Sequence, residues 1–526
     1  MINTINIIIL VFWLISALAD YLQLTYYWQL KEWRWDRAKD FLSTIQGRQL
    51  IFQRRISLRI ILIIVALFLP FNLLIFKFSI IFILTLDFLN AFYKFYSRKL
   101  LHPVFTKKAL LILLFTFCLE GGLFLKSHDW EILLFLLMIR AFLLGFVIYF
   151  VNLFTILVKK YYIKKATKKI EKQKNLIVVG ITGSYGKTTV KNFLYHVLEK
   201  KFKVIKTPRN INTEIGVAKF ILKNDFKNSE IFICEMGAYN EGDIQAICDM
   251  VHPKIGILTA INEQHLSLFG DIKITQKTKY ELLKSLPGNG LAIINSDNNL
   301  CRGLIHELNC EVHTFGYNEE YKPTFLLKNI KSTNQGILCE GIFSNQTIII
   351  EASIVGEHNF MNIAPCYLVA KFLKMSDDDI IKSCKILSMP DGSFHIKNYG
   401  LAIIINDSYN SNPDGFKAAL GVMQKYSSQK RRIVITRGML ELGGNSEELH
   451  ECIGEEISLV AEELVIITRD NEEALRKGVG TKYKTEIKSI FDPTDLLSYF
   501  RSLKDKECVI LLENRMPIDI IKELEK

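Results

Sequence analysis

Apolar residues fall along this chain in two regimes. Through residue 158 they form long blocks, at residues 5–18, 60–95, 109–125 and 132–158. Beyond residue 175 they form short β-branched runs separated by amphipathic stretches and by Gly, Asn, Asp and Pro. A helix needs about 20 apolar residues to cross a hydrocarbon core of roughly 30 Å. The first block predicts an uncleaved span extending a little past Ala19, because the basic leader and small-residue cleavage site of a secretory signal are missing. The block at 60–95 is interrupted by Pro70, Lys77, Asp87 and Lys94. It predicts a tight hairpin of two spans, with one long kinked span as the alternative. The last two blocks predict one span each, which brings the total to five. Asp87, Glu120 and Arg140 lie inside these blocks. They are expected to snorkel, to pair with one another or to face a bundle interior. A polar site for a lipid head group or substrate is the second reading.

The other regime reads as alternating strands and helices. Residues 176–388 predict this alternation with a loop-rich insertion near 300–355. Residues 395–526 predict short strands at 401–405, 432–435, 464–467 and 508–512. Such a pattern belongs to doubly wound α/β domains. The expected fold class is an N-terminal α-helical transmembrane region followed by α/β, made of a P-loop central ATPase-like domain and a C-terminal Rossmann-like domain. The expected boundaries are 1–158 for the spans, 159–175 for a basic linker, 176–388 for the central domain and 389–526 for the last.

Charge sharpens this division. The 526-residue chain carries a net +12 and a positive mean hydropathy of +0.19. Residues 1–175 hold 24 Lys/Arg against 9 Asp/Glu, a net of +15, and the remainder holds 42 against 45, a net of −3. The surplus lies in the greasiest third, which excludes nucleic acid as the partner implied by the basic pI. Basic residues cluster at 20–59, 94–108 and 159–174, and five spans with the N-terminus outside place all three clusters in the cytoplasm. Four spans would break the pattern. The Lys-rich segment at 159–174 predicts a basic helix on an anionic membrane surface, so membrane lipid is an expected partner. The expected location is the plasma (inner) membrane, multi-pass, with the α/β domains cytoplasmic. The ten cysteines show no C-x-x-C or zinc spacing and read as buried thiols of a reduced compartment.

The chemistry begins at residue 175. A short apolar strand ends at Gly180 and leads into Ile181-Thr182-Gly183-Ser184-Tyr185-Gly186-Lys187-Thr188-Thr189, followed by an amphipathic helix. Strand, Gly-rich turn, Lys-Thr and helix are the parts of a phosphate-binding loop, in which backbone N–H groups and a helix N-terminus face the phosphates. Lys187 would reach the β/γ-phosphates and the Thr188 hydroxyl would bind Mg²⁺. Gly183, Ser184, Gly186 and Thr189 complete the candidate nucleotide contacts. The strict G-x-x-x-x-G-K-[ST] pattern is not met, because Ile181 occupies its first glycine position.

The variant T-G-x-x-G-K-T-T resembles the phosphate loop of the Mur ligases, ATP-dependent ligases that join an amino acid or peptide to a carboxylate. The resemblance continues in order. Thr207-Pro-Arg-Asn210-Ile-Asn212-Thr-Glu-Ile-Gly216 is similar to T-P-G-N-x-N-N-E-I-G of the D-alanyl-D-alanine-adding branch. Cys234-Glu235-Met-Gly237 resembles its acidic magnesium segment, Asn262-Glu-Gln-His265-Leu266 its N-x-x-x-H-L, and Thr278-Lys279-Tyr-Glu its A-K-x-E, whose lysine is commonly carbamylated. Gly356-Glu-His358-Asn359-Phe-Met-Asn362 resembles G-x-H-N-x-x-N, and Asp407-Ser-Tyr409-Asn410-Ser-Asn412-Pro413 resembles D-x-Y-N-A-N-P. Met439-Leu-Glu441-Leu-Gly443, with Ser446 and His450, resembles M-L-E-L-G-x-x-S-x-x-x-H.

This resemblance implies ATP and Mg²⁺ as cofactors. Thr188 and Glu235 would hold one ion, and His265 with a carbamylated Lys279 a second. Lys187, Lys279 and His265 become the candidate catalytic residues. Asn359 and Asn362 would lie at the adenine and Asp407 at the ribose. Asn210, Asn212, Asn262, Asn410 and Asn412 become candidate substrate contacts, although Asn410 and Asn412 also read as turn formers. The implied reaction turns a carboxylate into an acyl phosphate, which an amine then attacks.

Three departures stand out. The five-span region takes the place of the family's UDP-sugar-binding domain. Gly392-Ser393 replaces the family's G-R, with Arg437 as a substitute cation, in a loop where Gly438 takes the place of an acid. Leu512-Glu513-Asn514-Arg515 stands where the branch has G-S-R. The expected function is a membrane-anchored amide ligase of peptidoglycan or envelope precursors. Its acceptor is a muramoyl-peptide-like carboxylate, soluble or lipid-linked, and its amine an amino acid or dipeptide. The alternatives are a ligase of poly-amino acids or other envelope polymers, and a catalytically impaired membrane scaffold.

Overall fold

The computed structural model describes residues 4–43, 47, 73–97, 100–126, 130–209, 211–238, 240–262, 271–333, 336–354, 356–389, 394–408, 412–426, 430–440, 442, 445–480 and 484–524. Two compact units emerge, Met1–Lys160 and Tyr161–Lys526.

The first unit is helical, with Thr4–Leu30, Trp35–Ser43, Leu73–Tyr96, Lys107–Lys126 and the start of Trp130–Glu171. Trp13, Ala17, Tyr21, Leu84, Ile112, Leu144 and Ile148 form its core. Large apolar side chains also point outward. Phe142, Phe146, Phe150 and Phe154 are exposed at helical spacing on one helix, whereas Arg140 on the same helix is buried. Arg140 donates to Glu120 (3.0 Å), Asp20 (2.9 Å) and Ser16 (2.7 Å), and Ser16 donates to Asp87 (2.9 Å). Trp13 and Tyr21 donate to Glu120. Asp87, Glu120 and Arg140 therefore face the interior, and each has a polar partner there, because an unpaired buried charge costs several kcal/mol. Among the described residues, one helical stretch, Phe135–Glu171, is long and apolar enough to cross a membrane by length and composition. The first half of the 60–95 block lies outside the described residues.

The basic segment at 159–174 differs from a separate surface helix. The helix runs unbroken from Trp130 to Glu171. Ala166 and Ile170 are buried in a core with Val217, Phe226 and Met250, so the segment's apolar side packs against protein.

The second unit holds two sheets. The larger has the order β2-β3-β1-β4-β5-β6-β7-β8-β9, with β1 Ile177–Thr182, β2 Val204–Lys206, β3 Ile231–Glu235, β4 Ile255–Leu258, β5 Leu291–Asn295, β6 Glu311–Gly316, β7 Phe325–Thr333, β8 Gly336–Phe343 and β9 Gln346–Ala352. β1 to β6 pair parallel with their neighbours, and β7 to β9 form an antiparallel extension. The loop-rich insertion expected near 300–355 is thus largely sheet. Its strands show two-residue alternation, Ile348, Ile350 and Ala352 buried against exposed Thr347 and Ile349, which polar residues obscure in the sequence.

The smaller sheet has the order β10-β11-β15-β12-β13-β14, with β10 His395–Tyr399, β11 Ala402–Asp407, β12 Arg431–Thr436, β13 Glu463–Ile466, β14 Glu486–Ser489 and β15 Cys508–Glu513. It matches the four expected strands and adds β10 and β14 at its edges. Both domains place the carboxyl ends of buried parallel strands where ligand loops follow.

Candidate functional site

The phosphate loop forms where β1 stops. All but the first residue of β1 are buried, and the strand pairs with β3 on one side and β4 on the other. Gly183 at φ +150° and Gly186 at φ +79° make the turn. A Cβ at Gly186 would lie 2.7 Å from Asn362 Oδ1. The loop is fastened to the end of β4: Ser184 N donates to Ala260 O (2.7 Å), Thr259 Oγ1 to Tyr185 O (2.5 Å) and Asn262 N to Ser184 Oγ (3.0 Å). Helix Lys187–Leu198 begins at once, its buried face anchored by Val190, Phe193, Leu194 and Val197. Thr188 and Thr189 lie in its first turn, where free N–H groups favour anions.

Lys187 folds back over the loop, donating to Gly183 O (2.6 Å) and Ser184 O (3.1 Å). Burial pushes its pKa down, and Glu235 opposes this. Thr188 Oγ1 donates to Glu235 Oε2 (3.0 Å), and Asn212 Nδ2 to Glu235 Oε1 (3.0 Å). Glu235 is 1% exposed at the end of β3. A hydroxyl and a carboxylate oxygen meeting beside a phosphate loop are hard donors that fit Mg²⁺, which takes one or two carboxylates plus water and phosphate oxygens. Among the described residues, no cluster of three or more His, Cys, Asp or Glu forms a metal cage.

Lys279 is buried in helix Ile272–Lys284. Its burial, reinforced by Lys187, pushes its pKa down to about 7. Asn362 donates to Asn359 Oδ1 (3.0 Å) on the segment that opens helix Phe360–Phe372, and Asn362 stands beside Gly186. His265, Asn210, Asn410 and Ser393 lie outside the described residues.

The C-terminal domain reaches the loop through helix Pro413–Gln424. Asn412 caps that helix, accepting from Gly415 N (3.1 Å), and also accepts from Asn262 Nδ2 (3.2 Å). The Tyr185 hydroxyl bonds Asp414, a contact the sequence alone did not suggest. Burial raises Asp407, at the end of β11, to about 7. Arg437 follows β12 with its Nε buried and without a hydrogen-bond partner; burial and Arg515 push its pKa down.

The loop carrying Arg437 is tightly held. Asn514 donates to Gly438 O (2.5 Å), Asn471 to Arg437 O (3.1 Å) and Met439 N to His450 Nε2 (2.8 Å). Gly438 has φ +79°, and a Cβ there would lie 2.6 Å from both Asn471 Nδ2 and His450 Nε2. Restoring an acid with Gly438→Asp is expected to cost about 3 kcal/mol in denaturant unfolding. A variant as stable as the wild type would show that the loop yields.

The residue that sequence reasoning passed over is Lys191. It is fully buried, with Nζ 2.8 Å from Glu235 Oε2, and also donates to Arg209 O. The available signal was a lysine three residues after Thr188, among the apolar residues of the helix's buried face.

Comparison with known proteins agrees with this architecture. The profile of the Mur ligase middle domain matches residues 181–370, and that of the Mur ligase, glutamate ligase domain matches residues 394–512. A UDP-N-acetylmuramoyl-tripeptide–D-alanyl-D-alanine ligase of Bacillus subtilis is 29% identical over 284 residues, 53% of this chain and 60% of that protein. The Haemophilus influenzae enzyme of the same name is 28% identical over 349 residues, 65% of this chain and 75% of that protein. The chain thus spans about 60% to 75% of the length of these two relatives. The MurF ligase of Thermotoga maritima, solved in complex with ADP, superposes with a TM-score of 0.61 at 26% identity, over 70% of this chain and 82% of that one. MurF from Acinetobacter baumannii shares the fold, with a TM-score of 0.63 at 22% identity, over 70% of this chain and 81% of that one. Together the two matched domains cover more than half of the sequence, and the chain belongs to the Mur ligase family.

Proposed function

We propose that this chain is a membrane-anchored, ATP- and Mg²⁺-dependent amide ligase of peptidoglycan precursor synthesis. On this reading it joins D-alanyl-D-alanine, or a similar amine, to a muramoyl-peptide carboxylate. The observation that carries the reading is the Thr188–Glu235 pair at the mouth of the phosphate loop, within a Mur ligase fold. The relatives' names supply the substrate class.

Each residue then has a task. Lys187 leaves the loop carbonyls for the β/γ-phosphates, and the loop N–H groups hold the same oxygens. Thr188 and Glu235 would hold Mg²⁺, whose charge would offset that of the phosphates. A Lys279 amine whose pKa has fallen to about 7 is neutral in a substantial fraction, and the neutral form is the one that adds CO₂. Addition would make an N–C bond at the neutral amine, release one of its two N–H protons and leave a carboxylate-like group to hold a second ion with His265. Asn359 and Asn362 would face the adenine and Asp407 the ribose. Asn210, Asn212, Asn262, Asn410 and Asn412 would border the substrates. Amine attack on the acyl phosphate forms the amide and releases phosphate.

The membrane part of the reading rests on the outward phenylalanines around buried Arg140, a polar-in, apolar-out pattern suited to lipid. A cytoplasmic site and an external N-terminus follow from the basic clusters. A lipid-linked acceptor would suit ligase domains joined to an apolar helical unit. The test is ADP release by the full-length protein in detergent, given D-alanyl-D-alanine and either UDP-muramoyl-tripeptide or the lipid-linked precursor. Turnover with at least one is expected, and preference for the lipid-linked form would support the membrane acceptor. Turnover of the soluble substrate alone would overturn that acceptor. Turnover of neither, with amino-acid-dependent ADP release instead, would favour a polymer ligase.

A further inference from the structure

The carboxylate assigned to magnesium already has a cation on it. Glu235 Oε2 accepts from Lys191 Nζ at 2.8 Å as well as from Thr188 Oγ1 at 3.0 Å. Both donors project from one face of the helix that begins at Lys187, three residues apart. Lys191 is fully buried, a state that a lysine tolerates only when paired. Its second bond goes to the Arg209 carbonyl. Arg209 adopts φ +44°, the left-handed region, where the similar T-P-G-N segment has glycine. A side chain there is strained, and the bond from Lys191 helps to hold the turn. Asn212, three residues further on, donates to the other oxygen of Glu235. One buried amine thus joins the phosphate-loop helix, the metal carboxylate and the 207–212 segment.

We propose that Lys191 is a positioning residue that acts as a resident cation. It neutralises and aims Glu235 while no magnesium is bound, and it ties that carboxylate to the 207–212 turn. Magnesium arriving at Glu235 takes over part of this charge, so the metal site and the turn are coupled through one lysine. Lys191 touches no reacting atom. The inference rests on the assignment of Glu235 to magnesium made above.

The test uses the full-length protein in detergent and magnesium alone, without nucleotide. Melting temperatures are compared in EDTA and in about 10 mM Mg²⁺. In EDTA, Lys191→Met should melt below the wild type, because Glu235 is left buried without its cation. Magnesium should restore most of that deficit, whereas the wild type should shift by less than about a third as much. Lys191→Arg should keep the wild type's weak response. Equal magnesium shifts in Lys191→Met and the wild type would overturn the proposal, whatever their melting temperatures.

If Lys191→Met does not fold, a second comparison decides. Glu235→Gln leaves Lys191 without its carboxylate, so the double variant Lys191→Met/Glu235→Gln should melt above Glu235→Gln and ignore magnesium. A double variant no more stable than Glu235→Gln would overturn the coupling. Failure of the nucleotide reading is recognised separately, by wild-type protein that binds no fluorescent ADP. That result alongside magnesium rescue of Lys191→Met would remove the proposed function and leave the resident cation.

Discussion

Lys187→Ala is expected to lower ATP-dependent turnover by about a hundredfold to a thousandfold, a loss of roughly 3–4 kcal/mol of transition-state stabilisation. On the proposed reading Lys187 is the loop cation for the transferring phosphoryl group, and phosphate oxygens would replace the loop carbonyls that hold its amine. The loop would keep its N–H donors in the variant, so fluorescent ADP binding should weaken less than turnover. Folding should be spared. Burial already pushes the Lys187 pKa down, which means the charged amine is held against a desolvation cost that alanine lacks. The melting temperature should therefore match or exceed the wild type's. ADP release and complementation in cells are the two measurements. A variant that keeps turnover within threefold would remove Lys187 from the chemistry, and one that keeps cellular function without turnover would make the chain a scaffold.

The parts of this molecule that were legible in sequence are those in which one physical requirement fixes the residue type. The end of β1 needs glycines where φ is positive, and Gly183 and Gly186 announce the turn. The strands β11, β12, β13 and β15 are buried on both faces and read as continuous apolar runs. β10 and β14 are edge strands with half-polar sequences, His395-Ile-Lys-Asn-Tyr399 and Glu486-Ile-Lys-Ser489, and gave no such run. β7 to β9 are antiparallel and alternate, a weaker signal that turn residues between them diluted.

The site divides in the same way. Thr188, Glu235, Asn359 and Asn362 occupy motif positions, and each has a polar partner in the same site. Lys191 and the Tyr185–Asp414 contact depend on long-range packing that no local pattern encodes. The basic segment makes a contact of the same long-range kind. Its lysines were read as the reason for its place, while its few apolar residues, Ala166 and Ile170, decide what it packs against.

Lys279→Met is expected to lower turnover by about a hundredfold or more while leaving fluorescent ADP binding within about threefold. Methionine fills nearly the same volume and carries no charge, so a buried amine whose pKa has fallen to about 7 can be replaced without loss of stability. The melting temperature should hold or rise, which separates a chemical loss from a structural one. The decisive step is rescue. A carbamate presents two oxygens where methionine presents none, and formate or acetate supplies the same pair at the end of the shortened reach. Either anion at tens of millimolar should recover about tenfold of the lost turnover, in a magnesium-dependent manner, and should do nothing for the wild type. Isotopically labelled CO₂ should give a carbamate signal in the wild type that Lys279→Met lacks. A variant with full turnover would overturn any role for Lys279. A dead variant that no carboxylate rescues, in a protein that takes up no labelled CO₂, would instead make Lys279 a plain ammonium beside Lys187. The lowering of Lys279 by burial and by Lys187 already argues against that arrangement, because a proton is harder to place on this amine.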